Sequence, residues 1–130
     1  MSGEKTAQPF DRFTVMEPGD PWESDEGDPY PDAAPLYAYL AEVLRADPSL
    51  RACVIGYAGR RGSAAAARRI ASRAKLAIAK AYAVDVSRVV ALGGGRREYK
   101  TIEIWLVPPG AALPRPTPGA RPTRRRRRPR

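Results

Sequence analysis

The stretch RACVIGYAGRRGSAAAARRIASRAKLAIAKAYAV, residues 51–84, decides the architecture. Ala52 to Tyr57 is a short apolar run with β-branched Val54 and Ile55, the composition of a strand buried on both faces. Gly59 to Gly62 reads as a turn, and Ser63 stands where a hydroxyl caps the start of a helix by accepting a backbone N–H. From Ser63 to Val84 no Gly or Pro interrupts an alanine-rich run, so the spacing predicts one long helix. Ile70, Ala74, Ala77, Ile78 and Ala81 recur on one side of it, while Arg69, Arg73 and Lys80 recur on another. One side therefore packs on a sheet and the other meets water.

Working outward from this unit, Asp32 is a candidate N-cap for an earlier helix. Leu36, Tyr39, Leu40, Val43 and Leu44 follow at helical spacing up to Ala46, and Asp47-Pro48 stops the helix, because proline removes a donor and restricts its predecessor. Downstream, Asp85 to Arg88 is a connector, Val89 to Leu92 a strand and Gly93 to Gly95 a break. Thr101 to Val107 is a last strand, in which Ile102, Ile104 and Leu106 alternate with Glu103 and Trp105. Phe10 to Met16 is a further strand-like piece near the start. The order is β-α-β-α-β-β, and a strand, helix, strand unit favours a right-handed parallel crossover. The expected fold class is α/β (α+β), a small mixed sheet of three or four strands with two helices on one face.

With 130 residues the chain suits one domain with its own core. Composition divides it into residues 1–32, acidic and mostly irregular, a folded part over 33–109, and a Pro/Arg-rich tail over 110–130 expected to be disordered. Charge is segregated in the same way: net −7 over residues 1–32, +8 over 33–109, and +8 over 110–130, to a total of +9. The tail carries Arg124, Arg125, Arg126, Arg127 and Arg128 in a row. Five adjacent guanidinium groups point to a polyanion such as a nucleic acid or an acidic protein or membrane surface, to a disordered solubilising tail, or to one that folds back on the acidic segment; a further alternative is a subunit of a larger assembly whose extended ends wrap neighbours.

No run approaches the length of a membrane span, and the start lacks the charged-then-apolar pattern of a signal peptide. If Met1 is the natural start, the chain is expected in the cytoplasm. The single cysteine, Cys53, forms no internal disulfide, and the absence of histidine removes the commonest general base and metal ligand. Glu42, Asp47, Asp85, Glu98 and Glu103 form no close pair in sequence. The expectation is therefore a protein that is not an enzyme and takes no cofactor or metal.

The strongest candidate site is the turn itself. Gly59, Arg60, Arg61, Gly62 and Ser63 lead into a helix N-terminus, where outward-facing amides, the helix dipole and two guanidinium groups favour an anion. The alternative is a plain glycine turn with solvated arginines. A Walker loop is excluded by the lack of a Gly-Lys-Ser ending, and the GxxG spacing of KH domains joins two helices, whereas this one joins a strand to a helix. Gly93 to Arg97 is a second turn that either lines the same cleft or is a simple break.

From about Leu36 to Pro109 the chain resembles the OmpA-like (peptidoglycan-associating) domain, as a divergent branch. The residues that carry the resemblance are Val54-Ile55-Gly56-Tyr57, the turn closing with Gly62-Ser63, and Ser72-Arg73-Ala74. Val84 to Val89, glycines 93 to 95 and Ile102-Glu103-Ile104 complete it. The resemblance implies a non-catalytic binding or anchoring module of the cell envelope or periplasm, with peptidoglycan or another anionic polymer as partner. In that family an aspartate after the strand and an arginine in the long helix clamp the diaminopimelate group of the wall peptide. Arg73 matches the arginine, and Gly59 stands at the aspartate's place, which removes the half of the clamp that meets the ammonium.

Overall fold

The structure, a computed structural model, describes residues 6–14 and 33–119. Its elements are β1 (Gln8–Thr14), α1 (Ala34–Ala46), β2 (Arg51–Ala58), α2 (Ala64–Tyr82), β3 (Val89–Arg96) and β4 (Thr101–Val107), with a 3-10 turn at Val86–Arg88. The four strands form one mixed sheet in the order β1-β4-β2-β3. β2 pairs parallel with β3, whereas β4 runs antiparallel to both β2 and β1. The β-α-β-α-β-β order and the mixed sheet are those expected from the sequence.

The parallel β2–β3 pair requires a crossover, and α2 provides it. Its Ala67, Ile70, Ala71, Ala74 and Ile78 are buried; Ile70, Ala74 and Ile78 pack with Tyr37, Leu40, Ala41 and Leu44 of α1 over Ala52, Val54, Val89, Ile102 and Ile104, and Ala67 and Ala71 lie over Gly56. Both helices thus cover one sheet face. Each large side chain fully buried in this layer contributes roughly 1.5–3 kcal/mol relative to exposure. The buried stripe of α1 is rotated from the one expected. Tyr37 and Ala41 take inner positions, and Tyr39 is 60% exposed, its ring lying 5.4 Å from that of Phe10. Two long-range bonds tie the helices together: the Tyr82 hydroxyl donates to the Ala34 carbonyl at 3.1 Å, and Arg45 donates to the Tyr82 carbonyl at 3.3 Å.

Several boundaries differ from the sequence reading. The N-cap of α1 is Ala33, with proline in the first turn and no side-chain cap; Asp32 lies outside the described residues. The early strand begins at Gln8, and Val15 and Met16 lie outside the described residues. Glycines 93 to 95 do not break β3 but belong to it. Between the pairs Gly56–Gly93 and Ala58–Arg96, β3 carries one more residue than β2. This bulge sits where Gly95 adopts φ +101°.

The second face of the sheet is covered differently. Cys53, Ile55, Tyr57 and Val107 are buried there, packed against Ala7, Val90, Leu92, Trp105 and Ala111. After β4 the chain turns at Pro108, where the Ala111 N–H donates to the Pro108 carbonyl at 3.1 Å. It then runs as a strap without regular secondary structure to Gly119, whose N–H donates to the Arg96 carbonyl at 2.9 Å. The folded part thus reaches past the boundary expected at Pro109. Residues 120–130, with the arginine run, lie outside the described residues.

Candidate functional site

The Gly59–Gly62 turn is closed by the Gly62 N–H donating to the Gly59 carbonyl at 2.9 Å. Gly62 is required by close approach, because a Cβ there would lie 2.4 Å from the Ala58 Cβ. Ser63 caps α2 as expected, its hydroxyl accepting the Ala66 N–H at 3.0 Å. Arg60 and Arg61 are exposed, beside a helix end whose dipole adds positive potential.

The sheet brings further cations to this end. Ala58, next to the turn, is the register partner of Arg96, and the Arg97 N–H donates to the Ala58 carbonyl at 2.9 Å. Arg68, exposed on the second turn of α2, lies over Gly93, where an added Cβ would meet its Cγ at 2.6 Å. Lys100 lies against Gly59, its Cγ 3.6 Å from where a Cβ would stand. The carboxyl ends of the parallel strands β2 and β3, where α/β sheets commonly hold ligands, are therefore lined by Arg60, Arg61, Arg68, Arg96 and Lys100. Of the two glycine segments read from the sequence, both do line this end.

Arg73 stands further along α2. It is half-buried in the middle of α2, ten residues beyond the cap and hence about 15 Å along the helix axis. Gly59, which holds the place of the family aspartate, has a lysine as its neighbour. The turn end gathers several cations, with Glu98 the one acid in the connection from β3 to β4.

Sequence reasoning missed a second cluster, on the strap-covered face. Glu103, only 8% exposed, accepts the Tyr57 hydroxyl at 3.3 Å and the Trp105 indole N–H at 3.2 Å through Oε1, and Arg97 Nη2 at 2.7 Å through Oε2. The Arg97 guanidinium lies 3.6 Å over the Tyr57 ring. Gly94 makes room for that ring, since a Cβ there would lie 2.4 Å from Tyr57 Cε1. The available signal was the alternation in β4, which places Glu103 and Trp105 together on one face of an otherwise apolar strand.

Cys53 is buried in β2, and burial pushes its thiol up to about 11, against a smaller lowering by Arg51. A protonated, enclosed thiol is a poor nucleophile. Among the described residues no group of three or more His, Cys, Asp or Glu side chains is placed to hold a metal ion, and no helix is long and apolar enough to cross a membrane. No protein-family model matches the chain, and no curated protein matches it.

Proposed function

We propose that this is a non-catalytic binding or anchoring module of the OmpA-like kind, envelope-associated, whose basic end engages an anionic group of a larger partner. The observation that carries this reading is the convergence of Arg60, Arg61, Arg68 and Arg96 on the capped N-terminus of α2. Guanidinium groups suit carboxylate or phosphate because their planar donors pair two oxygens at once. Peptidoglycan, rich in carboxylates, is the first partner to test. Co-sedimentation of the full chain with purified cell wall should fall strongly for Arg60→Ala/Arg61→Ala and persist for Arg73→Ala. Equal loss in the Arg73 variant would restore the family clamp, and no sedimentation of the wild type would remove the anchoring reading.

A second reading, a nucleic acid or acidic surface held through the arginine tail, is favoured by one observation. Gly119 bonds to Arg96, so the chain leaves the fold at the basic end, with Arg124 only five residues further on. Binding to mixed-sequence DNA, with a steep inverse dependence on salt and abolished by replacing Arg124–Arg128 with alanine, would establish it.

A further inference from the structure

Thr117 is held by all of its polar groups. Its N–H donates to the Tyr57 hydroxyl at 3.0 Å, its carbonyl accepts Arg97 Nε at 3.0 Å, and its hydroxyl accepts Arg97 Nη2 at 2.7 Å. The receiving side of these contacts is built without the strap. Glu103 binds Tyr57, Trp105 and Arg97 together, and Arg97 is stacked on Tyr57. Towards the strap this assembly presents one hydroxyl lone pair and two guanidinium donors, arranged to read an N–H, a C=O and a side-chain hydroxyl of one residue.

The strap has the character of a bound peptide. Ala112, Leu113, Arg115, Pro116, Thr117 and Pro118 are exposed and Pro114 is half-buried; the strap is held at Ala111, at Thr117, by Pro118 against Gly95 and by the Gly119 bond to Arg96. Proline follows Leu113, Arg115 and Thr117, which keeps each of these residues extended and lowers the entropy lost on docking. Tyr, Trp and Arg are also the residue types that dominate peptide and protein interfaces.

We infer that Tyr57, Arg97, Glu103 and Trp105 form a recognition site for a proline-flanked threonine in an extended peptide. The chain's own Thr117 occupies the site, and a Pro-Thr-Pro segment of another polypeptide can take its place. The tethered strap acts at a local concentration on the order of millimolar, so an external segment enters when the strap is released. This site uses other side chains than the basic end, although it shares β2 and the end of β3 with it, and does not depend on what that end binds.

The test uses the full chain carrying Thr117→Pro, which removes the N–H and the hydroxyl from the strap while keeping it extended. A synthetic peptide AALPRPTPG, the sequence of residues 111–119, is titrated in while the Trp105 indole N–H resonance is followed. The peptide should shift that resonance saturably, and its Thr→Val counterpart should bind about tenfold more weakly for want of the guanidinium-to-hydroxyl bond. No shift at millimolar peptide in a folded variant, or equal binding of the valine peptide, overturns the inference. Hydrogen exchange on the wild type gives an independent reading: the Thr117 amide should exchange by local release, far faster than the β2 amides. Exchange of Thr117 only at the rate of global unfolding would make the strap an integral part of the core and overturn the inference as well.

Discussion

Gly56 and Gly93 stand opposite each other on the parallel strands β2 and β3, and the first turns of α2 pass directly over both. A Cβ at Gly56 would lie 2.6 Å from the Ala67 carbonyl oxygen and 2.7 Å from the Ala71 nitrogen. At Gly93 the nearest atom would be the Arg68 Cγ at 2.6 Å, with the Arg68 nitrogen next at 3.1 Å. Ala67 and Ala71 over Gly56, and Arg68 over Gly93, form one close contact between α2 and the strands, which sets how near the cationic helix end comes to the strand ends.

Gly56→Ala should therefore cost more stability than Gly93→Ala. The first meets helix backbone, which must move, and should cost about 3 kcal/mol, at the upper end of overpacking effects. The second displaces mainly a flexible side chain and should cost about 1 kcal/mol. Urea unfolding of the two variants checks the order, and equal costs would contradict the close-contact account.

Glu103 and Arg97 form a largely enclosed pair, with side chains 10% and 16% exposed. Glu103→Ala leaves the guanidinium and the Tyr57 and Trp105 donors without their common acceptor. About 3 kcal/mol should be lost, in the range for breaking a buried pair. The loss should be accompanied by a change in Trp105 fluorescence.

Cys53 links stability to alkaline pH. Its folded-state value of about 11 lies above the ordinary 9.0, so between these values the unfolded chain releases a proton that the folded chain keeps. Stability is unaffected below pH 9 and falls as pH rises from 9 to 11, by up to about 2 kcal/mol. Because other groups titrate in this range, the readout is the difference between wild type and Cys53→Ala in urea unfolding at pH 8 and 10.5. A thiol reagent at pH 8 should modify Cys53 only at the rate at which the fold opens.

Ser63→Ala removes the single side-chain cap of α2 and should cost about 1 kcal/mol. Ser63→Asp should retain stability, and binding of anions at the basic end should weaken in it because a carboxylate then faces Arg60 and Arg61.

The contribution of the strap is read by comparing urea unfolding of a chain ending at Gly119 with that of a shorter one. One ending at Gly110 loses Ala111, Thr117 and Gly119 from the second face and should be less stable by about 2 kcal/mol, a few hydrogen bonds and one apolar contact. Equal stability of the two truncations would show that the strap contributes nothing.

Residues 51–84 made the strand, turn and capped helix legible because the information is local: β-branched residues, glycine spacing, a serine and an uninterrupted alanine run. The alternation in β4 was equally local. The rest depended on contacts distant in sequence. Glycines 93 to 95 read as a break until the close packing of Arg68 on Gly93 and of Tyr57 on Gly94, and the φ of +101° at Gly95, gave each a reason to lack a Cβ.

The sequence by itself determined the element order, the parallel crossover, the Ser63 cap and the cationic character of the turn, since propensity, capping and charge act over a few residues. Only the tertiary structure decided that Arg68 and Arg96 join Arg60 and Arg61 at one end of the sheet. It also decided that a proline-rich segment lies on the sheet. Those outcomes follow from helix rise, strand register and a carboxylate inside a strand that gathers partners 46 and 6 residues away, none of which local pattern records.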